Sequence, residues 1–303
     1  VFHDVAESGA YDLWIGDEAW EVDYFLHENP ELKSAAYAWL TDFVGYLPMP
    51  EGGALQAALT ADYNADMLEQ IARFPRIRDR AIFVGEPADI IPGDFGPGLP
   101  SIREWTERHF QFSGHITGFD PAALRDRGAL RRELGYGDEP VCVVSVGGSG
   151  VGEALLSRVV AALPQARERV PGLRMIAVAG PRIDPSSLPQ TEGLDVRRFV
   201  SDLHRHLAAC DVAIVQGGLT TTMELTATRT PFIYVPLRCH FEQNLHVRHR
   251  LERHRAGRLL EFERADPDTI ADAIAQEIGR PVDYLPVAAD GAARAAALIA
   301  ELL

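Results

Sequence analysis

Apolar and polar positions change their rhythm near residue 140. Beyond it, short apolar runs at 141–146, 174–179, 196–200, 212–215 and 232–235 read as strands. Stretches with apolar residues three and four apart, at 153–169, 203–209, 242–254 and 267–278, read as helices. Strands alternating with helices predict parallel β-α-β units. The first part of the chain is less regular. There, residues 11–16, 42–47 and 81–84 read as strands, 55–74 and 102–110 as helices, and 114–121 as an extended crossing. The expected fold class is α/β with two Rossmann-like domains. They take residues 1–116 and 139–285, joined by a linker at 117–138, with a closing helical segment at 286–303 that returns toward the first domain.

One junction in the regular half carries chemistry. The run ending at Val215 stops at Gln216-Gly217-Gly218, and a helix-like segment begins at Leu219-Thr220-Thr221-Thr222-Met223-Glu224. A strand that feeds a glycine turn and a helix N-terminus collects unpaired amides and the positive end of the helix dipole at one spot. That spot suits an anion, and Glu224, one turn in, suits a sugar's hydroxyls. An ordinary β-α turn with threonine caps explains the same residues, and Gly-Gly alone would favour it. Downstream, a second apolar run ends at Pro236 and is followed by Leu237-Arg238-Cys239-His240-Phe241-Glu242-Gln243-Asn244.

Taken together, these two segments resemble the C-terminal domain of GT-B nucleotide-sugar glycosyltransferases. The likeness is to the family-28 group, which includes the lipid-linked N-acetylglucosaminyltransferase of peptidoglycan synthesis, and to UDP-glycosyltransferases. Their His-x-Gly-x-Asn-Ser-x-x-Glu box is matched by Gly218, Thr221 and Glu224, while Gln216 stands at the phosphate-binding histidine and Thr220 at the asparagine. Glu242-Gln243 stands where those enzymes have Asp-Gln. The resemblance implies a GT-B fold whose domains face a cleft. It implies a UDP-sugar or other nucleoside-diphosphate sugar as donor, and a hexose or N-acetylhexosamine passed to an acceptor lipid, glycan or small molecule with inversion. Nucleotide and diphosphate contacts are expected from Gly148, Ser149, Val200, Gln216, Gly217, Gly218, Leu219, Thr220, Thr221 and Glu224. Donor-sugar contacts are expected from His240, Glu242 and Gln243.

The glycines at 147, 148, 150 and 152 do not complete a dinucleotide fingerprint, because the last position falls on Glu153, so NAD binding is disfavoured. Lys33 is the only lysine beside 28 arginines and sits in no glycine loop, which excludes a P-loop. The formal charge is −15, and residues 1–70 hold 14 carboxylates against that one lysine. An acidic chain is a poor nucleic-acid binder. Residues 204–258 hold eight arginines against four carboxylates, a basic patch beside an anionic donor or, on the plainer reading, a solvated face at Arg248, Arg250, Arg253 and Arg255. The histidines at 204, 206, 240, 246, 249 and 254 lack carboxylates at consistent spacing, so no metal is expected and surface histidines are the better reading. Cys142, Cys210 and Cys239 read as small buried hydrophobes.

Transfer also needs a base. Asp17, following a strand end, is the visible candidate, as base or as the group orienting one; a solvated acidic loop is an equal alternative. A nucleotide-sugar 2-epimerase, or a non-catalytic nucleotide-sugar-binding subunit, would keep the same pocket. Absence of a long apolar run or a leader gives a cytoplasmic expectation, with peripheral contact to the inner membrane face open. About 115 residues before the linker are few for a GT-B acceptor domain. The first domain is therefore expected to be incomplete, and these 303 residues to bind nucleotide without transferring sugar.

Overall fold

A computed structural model describes residues 2–303, which form two compact units. The first runs to Gly118 and takes in Ala288–Leu303; the second is Phe119–Val287.

The first unit contains helix α1 (Phe2–Ser8), strand β1 (Leu13–Asp17), α2 (Trp20–Glu28), β2 (Ala36–Thr41), α3 (Gly53–Arg73), β3 (Arg80–Phe83), α4 (Ile102–His109) and β4 (Gln111–Phe112). The strands make one parallel sheet in the order β1-β2-β3-β4. Trp14, Tyr37, Trp39 and Phe83 form a core on one face with the helices that cover it. The strand expected at 42–47 is not there. The strand is β2, one step earlier, whose Ala-Tyr-Ala-Trp-Leu-Thr sequence is buried almost throughout and so shows no alternation. Phe43 and Val44 are buried because the following loop folds under itself. The Thr41 hydroxyl donates to the Phe43 carbonyl at 2.8 Å, and Asn64 of α3 bonds both backbone groups of Tyr46 at 2.9 and 2.8 Å.

The second unit contains α5 (Arg127–Glu133), β5 (Val141–Ser145), α6 (Glu153–Ala161), α7 (Leu163–Arg169), β6 (Arg174–Val178), β7 (Leu194–Arg197), α8 (Leu203–Ala209), β8 (Val212–Val215), α9 (Leu219–Ala227), β9 (Phe232–Tyr234), α10 (Arg248–His254), β10 (Arg258–Leu259) and α11 (Pro267–Glu277). Its six strands are parallel, in the order β10-β9-β8-β5-β6-β7. Alternate residues feed opposite faces: Cys142 and Val144 pack with α6, α7 and α11, while Val141 and Val143 pack with α8 and α9. The single helix expected at 153–169 is two, because Pro164 cannot donate its backbone hydrogen bond and starts α7 afresh. The 117–138 stretch is not a bare linker. Its helix α5 is held by Asp211, which accepts from Arg127 at 2.5 Å, Arg131 at 3.0 Å and the Val141 amide at 2.8 Å. After Val287 the chain rejoins the first unit, where α12 (Gly291–Ala300) and the residues after it pack Leu298, Ile299 and Leu302 against Ala38, Leu40 and Ile82. No helix among the described residues is long and apolar enough to cross a membrane.

Candidate functional site

In the second unit the chain winds outward from β5 in both directions, through β6 and β7 on one side and β8 to β10 on the other. Neighbouring strands whose connections diverge leave a crevice beyond their carboxyl ends, where open α/β sheets bind ligands. The register pairs Ser145 with Val215, so the loops after β5 and β8 leave the sheet side by side. These are the loops that hold Gly148, Ser149, Gln216, Gly217 and Gly218.

Gly217 turns the chain with φ of +95°, a conformation that L side chains rarely adopt. Gly218 caps α9 in an extended conformation. The amides of Leu219, Thr220 and Thr221 then lie in the first turn, where a helix offers them no acceptor. Thr220 is exposed and Thr221 half-buried. Thr222 is committed elsewhere, its hydroxyl donating to the Gly218 and Leu219 carbonyls at 3.0 Å. Gln216 is 8% exposed, and its Nε2 group is buried without a hydrogen-bond partner. Across the crevice, the Ser149 carbonyl accepts from Arg182 at 3.3 Å. A Cβ on Gly152 would sit 2.4 Å from the Val146 side chain, so glycine lets α6 start tight against its own strand.

Glu224 follows one turn into α9 and is half-buried. Burial alone pushes its carboxyl up to about 7.

The loop after β9 stands beside the turn after β8, because these strands are neighbours and Val215 pairs with Tyr234. The helix expected at 242–254 begins as a π-helical turn, Glu242–Val247, before α10. Gln243 is buried and its Oε1 accepts from the Leu237 amide at 2.9 Å. Asn244, not singled out by the sequence, donates to the Leu237 and His240 carbonyls at 2.8 and 2.9 Å. His240 accepts from the Gln243 amide at 3.5 Å, and burial lowers its pKa. Glu242 is half-buried, and Arg238 lies exposed 3.6 Å from Glu263. Cys239 is exposed, not buried, and takes φ of +60° in this loop, where no core element carries it. Cys142 and Cys210 are buried.

Val200 packs into the core beneath the sheet end, and its neighbour Phe199 stands 76% exposed. The strand expected at 196–200 lies earlier, at Leu194–Arg197, so Phe199 falls in the loop after it. Asp17 is exposed at the carboxyl end of β1 in the first unit. Glu18 beside it is not simply solvated, for it accepts from the Thr41 hydroxyl at 3.1 Å and the Asp42 amide at 3.3 Å. His206, His246 and His254 are buried rather than on the surface, and His206 meets the Tyr136 hydroxyl at 2.5 Å. Nor are the arginines of 248–255 all solvated: Arg250 is only 2% exposed.

Comparison with known proteins bears on the fold and the family. The spinosyn rhamnosyltransferase SpnG, solved in complex with thymidine diphosphate, superimposes over 99% of this chain and 72% of its own, with a TM-score of 0.58 at 16% identity. At that identity the likeness establishes the fold, GT-B, and nothing finer. The uncharacterized glycosyltransferase MK0977 of Methanopyrus kandleri is 32% identical over 196 residues, 63% of this chain and 54% of its own. The UDP-N-acetylglucosamine–N-acetylmuramyl-(pentapeptide) pyrophosphoryl-undecaprenol N-acetylglucosamine transferase of Carboxydothermus hydrogenoformans is 29% identical over 144 residues, 46% of this chain and 34% of its own. The chain thus spans about half or less of the length of these two relatives. Residues 141–303, more than half of the chain, match the glycosyltransferase family 28 C-terminal domain, and the chain belongs to that family.

Proposed function

We propose that the second unit binds a nucleoside-diphosphate sugar, with UDP as the nucleotide, and that the protein is a glycosyltransferase. The observation that carries this reading is the meeting, beyond the ends of β5 and β8, of free helix amides with an unpaired, half-buried Glu224. Amides suit the diphosphate, and the carboxylate suits the two ribose hydroxyls. Names among the relatives support the substrate class, since one transferase acts from a UDP-sugar and one solved neighbour holds thymidine diphosphate.

In the proposed reaction an acceptor hydroxyl attacks the anomeric carbon of a hexose or N-acetylhexosamine. The bond from that carbon to the diphosphate oxygen breaks, and one displacement inverts the centre. Negative charge grows on the leaving diphosphate, where the Gly218–Thr221 amides and the α9 dipole are already oriented to receive it. Fixed dipoles supply this stabilisation without a metal. His240, Glu242 and Gln243 would hold the donor sugar, and Asp17 is the proposed base that takes the acceptor's proton. The acceptor is expected to be a lipid, glycan or small molecule, the protein cytoplasmic, and contact with a membrane surface peripheral.

Calorimetry of UDP binding tests the central claim. Replacing Glu224 by Ala removes a buried acceptor and should weaken UDP by ~1–3 kcal/mol. Equal affinity for wild type and variant would remove the ribose assignment, and no binding of UDP, TDP or GDP would remove the reading itself.

A further inference from the structure

We propose that the first unit binds a protonated amine carried on an apolar body, in the cavity between α2 and α3. The cavity measures about 450 Å³, within the range of small-ligand sites. Each helix turns one stripe toward it. Trp20, Tyr24 and Glu28 stand four apart on α2, and Tyr63, Asp66 and Gln70 stand three and four apart on α3. Residues at these spacings share a helix face, so the two stripes form the walls.

The rings in those walls are held from behind. Trp20 packs edge-on against Trp39 with centroids 4.8 Å apart, and against Phe43 at 5.6 Å. Tyr63 stands perpendicular to Tyr46 at 4.9 Å. Tyr24 and Tyr63 still keep 58% and 56% of their surface exposed. Large rings that are fixed in place yet left uncovered suit a ligand, because little is spent on ordering them when it binds.

Charge selects which ligand. The lining holds four carboxylates, Asp23, Glu28, Asp66 and Glu69, against Arg73 and Arg78. Arg78 is taken by Asp23 through two bonds of 2.7 and 2.6 Å and lies over the Trp39 ring. Arg73 lies over the Phe74 ring, 5.1 Å from its centroid. Lys33, the only lysine or arginine before Arg73, is held by Asp79 at 2.6 Å. Glu28 accepts from the neutral Gln70 amide at 3.2 Å and keeps its charge. Among the described residues, no cation pairs with Glu28, Asp66 or Glu69. A ring face attracts a cation through its quadrupole, and a carboxylate attracts it by charge and accepts its N–H groups. A neutral apolar ligand would cover the rings and leave the carboxylates unanswered; an anion would be repelled. A protonated amine on an apolar body satisfies both parts. Every residue of the cavity belongs to the first unit, so this site does not depend on the nucleotide reading of the second.

The test applies ligand-observed NMR and calorimetry to the whole chain with 2-phenylethylamine, 2-phenylethanol and 3-phenylpropanoate. The three share a ring and a short chain, and at neutral pH they are positive, uncharged and negative. The amine should bind about 10-fold more tightly than the alcohol, the carboxylate more weakly still, and added salt should weaken the amine alone. Two variants at exposed positions locate the binding. Tyr24→Ala removes a ring, and Asp66→Asn with Glu69→Gln removes two charges while keeping shape. Each should weaken the amine about 5-fold, and the charge variant should also lose the preference over the alcohol. Tyr24→Phe keeps the ring and should bind as wild type does, while melting curves check that every variant is folded. Wild type that does not bind the amine overturns the proposal. Equal affinity for amine and alcohol overturns it too, leaving a plain apolar cleft, as does amine binding that neither variant weakens. Sedimentation showing a dimer that Tyr24→Ala disperses would give the groove to a second copy instead.

Discussion

The Leu237 amide donates to the Gln243 side-chain oxygen at 2.9 Å, so the residue expected to hold the donor sugar also ties down the loop on which that sugar would rest. Asn244 holds the same loop from the next position, through the Leu237 and His240 carbonyls. The two roles of Gln243 use different atoms and can be separated. Gln243→Glu keeps the acceptor for Leu237 and replaces the Nε2 donor by an oxygen. If Nε2 grips the sugar, this variant weakens UDP-sugar about 10-fold and leaves UDP unchanged, whereas Gln243→Ala also loosens the loop and lowers thermal stability. Calorimetry with UDP and UDP-N-acetylglucosamine, beside a melting curve, distinguishes them. Parallel losses for both ligands in Gln243→Glu would reduce the residue to a latch.

Glu224 predicts a conflict between stability and binding. Its carboxyl is raised from 4.5 to about 7 by burial. A group raised on folding favours the fold where it is protonated, fully below pH 4.5, and that contribution is lost as pH rises through about 7. Glu224→Gln avoids the loss, so the empty variant should be more stable than wild type at pH 8.5, by roughly 1–3 kcal/mol, and equal to it at pH 4. The same variant should bind UDP less well at pH 8.5. Wild type should lose UDP affinity on acidification from pH 8 to 6 faster than the variant, the nucleotide's own titration being common to both. Urea unfolding and calorimetry across that range provide the readouts. Stability curves that run parallel at every pH would mean that Glu224 is not strained by burial.

How much of this was legible in the sequence depended on which residues set the pattern. Strand β8 and helix α8 were readable to the residue, because four apolar residues run unbroken between Asp211 and Gln216 in the one, and the buried residues of the other stand together at its end. The glycine turn at Gly217-Gly218 was readable because few residues other than glycine take its backbone shape. Strand β2 was not, since a central parallel strand is covered on both sides and its residues lose their period. The break at Pro164 needed only the chemistry of proline, yet the apolar period of 153–169 runs straight through it. Burial of His206, His254 and Arg250 was invisible because polar residues enter a core through partners far along the chain, such as Tyr136 for His206. Phe199 belongs to a loop, where no period marks a position, and Asn244 turns its side chain back onto the Leu237 and His240 carbonyls from a π-helical turn that no helical spacing announces.

Asp211 ties three parts of the second unit together. It joins α5 through Arg127 and Arg131 to the first residue of β5, at the amino end of the central strands. Asp211→Ala takes the carboxylate from two arginines that keep only backbone carbonyls, and from the Val141 amide, and should destabilise the chain by roughly 1–3 kcal/mol. Arg131→Ala alone should cost less, because Asp211 keeps Arg127. A double-mutant cycle in urea measures the coupling. Additive losses for Asp211→Ala and Arg131→Ala would show that the pair contributes nothing as a pair.

Gly217 offers the sharpest separation of backbone shape from space. Its φ is +95°, but a Cβ there would meet Pro236 and Tyr234 at 3.7 Å, an ordinary contact. Gly217→Ala therefore introduces conformational strain without a clash, about 1–2 kcal/mol. A turn under strain relaxes by rotating its peptides, which moves the amides at the start of α9 away from the spot where they converge. UDP affinity should fall 10-fold or more, beyond what the lost stability explains. Gly98 supplies the control. It has φ of +78° and nothing within 4 Å of the same Cβ, in a loop of the first unit. Gly98→Ala should lower stability by a similar amount and leave UDP affinity untouched. Comparable affinity losses in both variants would trace the effect to general instability, and an unaffected Gly217→Ala would show that the amides after Gly218 do not hold the nucleotide.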